Sequence, residues 1–117
     1  GGRGMQGPDG FAWLGRIAAS LEGAVGGSLP TVDAGWVPVS RQIGQSGKYV
    51  SPRLYFAVGI SGTPQHMAGI AAETAIVALN SDPEAPIFGM ARTGVAGDWR
   101  EILPLVAQRL AQRPGRG

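Results

Sequence analysis

The sequence predicts an α/β fold built on a mainly parallel, doubly wound sheet. Two apolar runs, Leu54-Tyr55-Phe56-Ala57-Val58 and Thr74 to Leu79, lack the polar alternation of a half-exposed strand and suit burial on both faces. Two segments with apolar residues three and four apart, Phe11 to Val25 and Trp99 to Gln112, read as amphipathic helices. Strands interleaved with helices imply parallel pairing through crossover connections.

Taken in order, residues 1–10 are too rich in glycine to hold regular structure. Phe11, Leu14, Ile17, Ala18, Leu21 and Val25 then share one helix face, with Asp9 placed to cap the helix and Gly26-Gly27 to stop it. Thr31-Val32-Asp33-Ala34 reads as a short strand. Residues 35–48 form a long glycine-containing loop, of a length that compact domains keep for function. Arg53 to Ile60 is the first buried strand. Pro64 suits the first turn of a following helix, where its missing N–H costs nothing. Thr74 to Leu79 is the next strand and Pro86 to Ala91 a third. Asp98 is placed to cap the last helix, whose apolar side carries Ile102, Leu105, Val106 and Leu110. Pro104 weakens that helix near its start.

Length and composition narrow the function. The chain has 117 residues, enough for one domain over 1–117, with flexible ends expected at about 1–9 and 112–117. Only 7% of residues are aromatic, so the core rests on Ala, Val, Ile and Leu. The absence of cysteine excludes a disulfide, a thiolate nucleophile and a sulfur-ligated metal, and a single histidine argues against structural zinc. No apolar stretch approaches the ~20 residues of a membrane-spanning helix, and no leader of signal-peptide form is expected. The net charge of +2 is small, with Arg3, Arg109, Arg113 and Arg116 near the ends. A soluble, cytoplasmic protein without nucleic-acid contacts is the expectation.

Three loops close strand-like runs, where an open α/β sheet places its ligand. They are Ile43-Gly44-Gln45-Ser46-Gly47-Lys48, Gly59-Ile60-Ser61-Gly62-Thr63-Pro64-Gln65-His66 and Asn80-Ser81-Asp82-Pro83-Glu84-Ala85-Pro86. Gly59-Ile60-Ser61-Gly62 ahead of a helix offers backbone N–H groups free of crowding, though tight turns also demand glycine on steric grounds. Gly44 to Lys48 departs from a P-loop because Tyr49 follows the lysine, which argues against triphosphate hydrolysis. His66 is the only imidazole, in a helical first turn that disfavours its charged form. With Ser61 and Gln65 it makes a polar group that favours a ligand site. Asn80 and Asp98 have plain alternatives as turn residue and helix cap, and Trp99 as a core or interface residue. Asp82 and Glu84 are too isolated to hold a metal, and no nucleophile–base–acid set can be assembled.

Several strings in order, among them Val32-Asp33-Ala34-Gly35, Gln45-Ser46-Gly47-Lys48, Leu54 to Gly62, Gln65-His66 and Asp82-Pro83-Glu84-Ala85-Pro86-Ile87-Phe88, resemble the FAD-binding domain of the electron transfer flavoprotein alpha subunit. The resemblance covers Gly1 to about Leu110. It implies a Rossmann-like fold of the DHS-like NAD/FAD-binding type. In that family an apolar strand precedes a Gly-Gly-Arg-Gly turn, so the chain is expected to begin just after that strand and to lack it, along with the amino-terminal domain.

The resemblance also implies the cofactor and its contacts. Arg3 would meet the phosphate region of FAD and Ser28 would line the site. Ile43, Gly44, Gln45 and Ser46 would border the isoalloxazine, with the Ser46 hydroxyl near N5. Ser61, Gly62, Thr63, Pro64, Gln65 and His66 would follow the ribityl-pyrophosphate region to the ring, with His66 near O2. Asn80, Asp98 and Trp99 would hold the adenosine portion. One departure stands beside the ring: the family usually has arginine after the serine matching Ser28, and here Leu29 follows it.

The expected function is therefore a non-covalent FAD-binding electron carrier rather than an enzyme. It would pair with the electron transfer flavoprotein beta subunit as a heterodimer and pass electrons from dehydrogenases toward a quinone oxidoreductase. Its place would be the cytoplasm of a bacterium or the mitochondrial matrix of a eukaryote. The alternative is a degenerate Rossmann-like nucleotide-binding or interaction domain without flavin redox function.

Overall fold

A computed structural model describes residues 1–112. Its centre is a three-stranded parallel sheet of β1 (Leu54–Val58), β2 (Ala75–Asn80) and β3 (Thr93–Ala96), in that order. The register sets Val58 beside Leu79 and Leu79 beside Val95.

The parallel pattern continues beyond β1 through single hydrogen bonds. The Gly2 N–H donates to the Val58 carbonyl (2.9 Å) and the Gly4 N–H to the Gly59 carbonyl (2.9 Å). On the far side of this opening segment, the Ser28 N–H donates to the Gly1 carbonyl (3.1 Å). The Ile43 N–H in turn donates to the Gly27 carbonyl (2.9 Å), within a parallel bridge between Gly27 and Gln42. The spatial order is thus 42–43, 26–28, 1–4, β1, β2, β3. The chain steps outward twice from residues 1–4 and then returns to their other side as β1, so the order reverses between residues 1–4 and β1.

Two cores cover the two faces. On one, Val58 of β1 and Leu79 of β2 meet Met5, Leu14, Ile17 and Leu103. This brings α1 (Phe11–Ser20) against α4 (Trp99–Ala111). On the other, Ala57, Ile76 and Ala78 pack with Ile60, Ala85 and Ile87 beneath the single turn α3 (Pro64–Met67). Strands that feed both cores need apolar residues in succession, which is why these runs do not alternate.

Several local expectations are corrected. Residues 31–33 are helical and Ala34 is the C-cap: α2 (Leu29–Asp33) has Ser28 at its N-cap and proline in its first turn. These starting signals override the β-branched Thr31 and Val32. Pro86–Gly89 is a 3₁₀ turn that buries Ile87 completely, and the third strand comes later, at Thr93–Ala96. Residues 3–5 also form a 3₁₀ turn, anchored by a fully buried Met5. The first helix ends at Ser20 with Gly10, not Asp9, at its N-cap, and Glu22 takes a positive φ of 57° just after it. In α4 the fully buried residue is Leu103, while Leu105 is 60% exposed. Arg113 and Arg116 lie outside the described residues. No helix among the described residues is long and apolar enough to cross a membrane.

Candidate functional site

The reversal of strand order between residues 1–4 and β1 makes a crevice at the carboxyl ends of the strands, the position where open α/β sheets bind ligands. A groove of about 660 Å³ occupies it, and a smaller pocket of about 110 Å³ continues from it. Gly4, Gln6, Gly59 and Asn80 line both, so the two form one track. Backbone forms the floor. Gly59 has φ +68°, and a Cβ there would lie 2.7 Å from the Met5 nitrogen and 2.8 Å from the Gly4 carbonyl carbon. Only glycine permits that approach.

One wall is the 42–48 loop, pinned by backbone bonds onto the chain around α3. The Gln45 N–H donates to the Gln65 carbonyl (2.7 Å) and the Lys48 N–H to the Gln42 carbonyl (2.8 Å). Gly44 lies against this junction with φ +139°, where a Cβ would sit 3.0 Å from the Gln65 oxygen. The buried Gln42 donates through Nε2 to Ser46 Oγ (2.9 Å). Ser46 therefore accepts one bond and keeps its own hydrogen to donate.

Two buried polar atoms in the groove wall lack any partner among the described residues: Ser28 Oγ and His66 Nδ1. An N-cap serine ordinarily uses its hydroxyl on the N–H groups of the first turn. Ser28 caps α2 with no side-chain bond, leaving the hydroxyl uncommitted. His66 is 6% exposed, and its Nε2 lies 2.7 Å from the Tyr55 hydroxyl. Burial lowers its pKa to about 4; the positive Gly1 amino group acts in the same direction and the Ile43 backbone in the opposite one. Desolvation thus does what a helix dipole was expected to do, since α3 has only four residues. Burial also raises the Tyr55 phenol above its ordinary range.

The other end of the track is already bonded. Asn80 donates to the Ile60 carbonyl (3.1 Å) and accepts from the Asp82 N–H (2.9 Å). Asp98 accepts from the Arg100 N–H (2.9 Å) as the α4 cap, and Trp99 donates its indole N–H to the Met5 carbonyl (3.0 Å).

Most of the residues singled out from sequence meet here. Arg3 stands exposed at the rim, while Ser28, Ile43, Gly44, Gln45 and Ser46 form one side. Ser61, Thr63, Gln65 and His66 line the same groove; Asn80 joins the two cavities, and Asp98 and Trp99 border the smaller. Gly62 and Pro64 do not line either cavity. Gly62 instead packs its backbone on Ile87, where a Cβ would meet the Ile87 nitrogen at 2.7 Å, and Pro64 starts α3. Sequence reasoning missed Gln6 and Gln42, since a lone glutamine beside a loop carries no periodic signal. Arg3 and Asp82 are the charged side chains on the larger cavity.

Comparison with known proteins gives a consistent result. Residues 1–71 match the family model described as the electron transfer flavoprotein FAD-binding domain. The chain is 48% identical over 110 residues to the electron transfer flavoprotein subunit alpha of Thermoanaerobacterium thermosaccharolyticum, covering 94% of the chain and 33% of that protein. It is 52% identical over 104 residues to the Pseudomonas aeruginosa subunit, covering 89% and 34%. Identity to the mitochondrial subunit of Arabidopsis thaliana is 44% over 113 residues, covering 97% and 31%. The chain spans about a third of the length of these relatives.

Proposed function

Because the chain belongs to the electron transfer flavoprotein alpha-subunit family, we propose that its groove holds FAD non-covalently and that it works as an electron carrier. The observation that carries this reading is the pair of buried, unpartnered atoms, Ser28 Oγ and His66 Nδ1, on one groove at the sheet's reversal point. Leaving such atoms without partners costs about 1–3 kcal/mol each, a penalty that a polar ligand relieves. The groove's volume also lies in the range of small-molecule and cofactor sites.

Bound FAD supplies the electron-accepting ring, a chemistry that no side chain here offers. The protein's part is to bind it and set its environment. Arg3 would meet the phosphates, and the glycine floor would let backbone approach them. The Ser46 hydroxyl, which accepts from Gln42, would have its hydrogen to offer N5. His66 would serve the O2 edge, where a fixed polar group stabilises the negative charge of the reduced ring. Asn80, Asp98 and Trp99 would hold the adenosine end. The relatives are named as alpha subunits, and a beta subunit is the proposed partner in a heterodimer, with dehydrogenases as electron donors and a quinone oxidoreductase as acceptor. The cytoplasm or the mitochondrial matrix is the proposed compartment, because the relatives are bacterial and mitochondrial.

The test is titration of the purified chain with FAD, followed by absorption and by quenching of flavin fluorescence. Saturable quenching is expected, and the protein freed of unbound FAD should keep a yellow flavin band. No quenching, and a colourless protein once unbound FAD is removed, would return the chain to the alternative of a nucleotide-binding or interaction domain without redox function.

A further inference from the structure

We infer that Tyr55 is a positioning residue: its hydroxyl donates to Nε2 of His66 and so holds the imidazole as the tautomer with its proton on Nδ1. The inference deepens the FAD reading, on which its consequence for binding rests. Tyr55 lies on β1, on the face that packs with Met67 and Ile87. Its oxygen is 2.7 Å from Nε2, with ring centroids 5.9 Å apart and planes tilted by 44°. Tyr55 does not line the groove; His66 does. The tyrosine therefore reaches any ligand only through the histidine.

Two heavy atoms at this separation share one hydrogen, and there are two ways to place it. If Nε2–H donated to the phenol oxygen, the phenol hydrogen would need another acceptor, and Tyr55 has none among the described residues. Nδ1 would then also be a bare, buried acceptor with no donor. In the other arrangement the phenol hydrogen is used on Nε2, and one group alone stays open, the Nδ1 N–H. The Ile43 backbone stands near the ring on the side that favours a proton, but outside hydrogen-bond geometry, so the Nδ1 N–H stays unmatched. The second placement leaves one buried polar hydrogen unpaired instead of two mismatched groups, and unmade buried bonds are the costly ones. The groove then meets an incoming acceptor oxygen, such as a ring carbonyl, with a donor rather than a lone pair. An oxygen of this kind would complete the bond that the empty protein leaves unmade.

His66 is the only histidine, so ¹⁵N long-range proton correlation spectra of the chain report this ring alone. At pH 7.5, without cofactor, the expected pattern is a protonated Nδ1 and a bare Nε2. Tyr55→Phe keeps the ring and removes the hydroxyl. It should move the population toward the Nε2–H form and weaken FAD binding about tenfold, the worth of one oriented hydrogen bond. An Nε2–H tautomer in the unmodified chain overturns the inference, and that measurement needs no variant to fold. So does an unchanged tautomer in Tyr55→Phe. A shifted tautomer with unchanged FAD affinity overturns the positioning role. The tautomer is read without FAD, so a chain that fails to bind FAD but shows protonated Nδ1 sinks the cofactor reading and leaves the Tyr55 assignment standing.

Discussion

The two ends of the groove are built on opposite principles. At the end formed by Ser28, the 42–48 loop and His66, buried polar atoms stand without partners. At the end formed by Asn80, Asp98 and Trp99, every one of these side chains is committed to a bond within the chain. The first end gains from a ligand, whereas the second is complete without one. Truncating side chains at the first end should therefore weaken binding and tuning, and truncating them at the second should cost the empty protein stability. Forcing a charge onto the first end without a ligand, by contrast, is costly.

Acid offers the largest contrast. His66 is held at a pKa of about 4, below the 6.5 of an unfolded chain. Above pH 6.5 the ring is neutral in both states and nothing is lost. As pH falls from 6.5 toward 4, the unfolded chain takes up a proton that the folded one refuses. Stability drops by at most about 3 kcal/mol across that window and no further below it. A variant without the imidazole isolates this contribution from every other titration. Urea unfolding of the chain and of His66→Gln at pH 7.5 and 4.5 makes the comparison. The chain should lose more stability than the variant on acidification. Equal losses would mean that His66 titrates normally, and the contrast between the ends would weaken.

Substitution at both ends gives the next effect. Asn80→Ala removes a donor to the Ile60 carbonyl and an acceptor for the Asp82 N–H. It should destabilise the FAD-free protein by about 2 kcal/mol, with an unchanged denaturant slope. Ser28→Ala removes a buried hydroxyl that bonds to nothing. It should leave the FAD-free protein within about 1 kcal/mol of the original while weakening FAD binding about tenfold. If Ser28→Ala proves as destabilising as Asn80→Ala, the hydroxyl has a structural partner and the two ends do not differ in kind.

How much of this could be read in advance follows the same division. The buried strands were legible because burial on both faces writes an unbroken apolar run, as in Leu54–Val58 and Ala75–Asn80. The cap at Asp98 was legible because capping is local. The turn at Pro86–Gly89 was mistaken for a strand because Ile87 is fully buried, and burial alone does not separate a strand from a short helical turn. Residues 31–34 read as a strand because Thr31 and Val32 are β-branched, but Ser28 at the N-cap and Pro30 in the first turn start a helix there. At the site, the strings around Ser46 and His66 marked the loops. No local pattern could reveal that Tyr55 reaches across to His66, or that Gln42 orients Ser46, because both bonds depend on tertiary packing.

The smallest effect concerns the wall beside Ser28. Leu29 is 46% exposed and, with Pro30, gives the ligand-seeking end an apolar border. The family resemblance implies an arginine at this position. Leu29→Arg disturbs little packing, because nearly half of the leucine already meets solvent. A guanidinium against the flavin ring would favour its reduced, negatively charged forms by about 1 kcal/mol, on the order of tens of millivolts for one electron. Redox titration of the FAD-loaded chain and variant should show the potential rising in the variant, with the stability of the empty protein unchanged. An unchanged or lower potential would put Leu29 away from the ring, and the apolar wall would then belong to another part of the track. A rise would make Leu29 a tuning position at the end of the groove that stability does not hold in place.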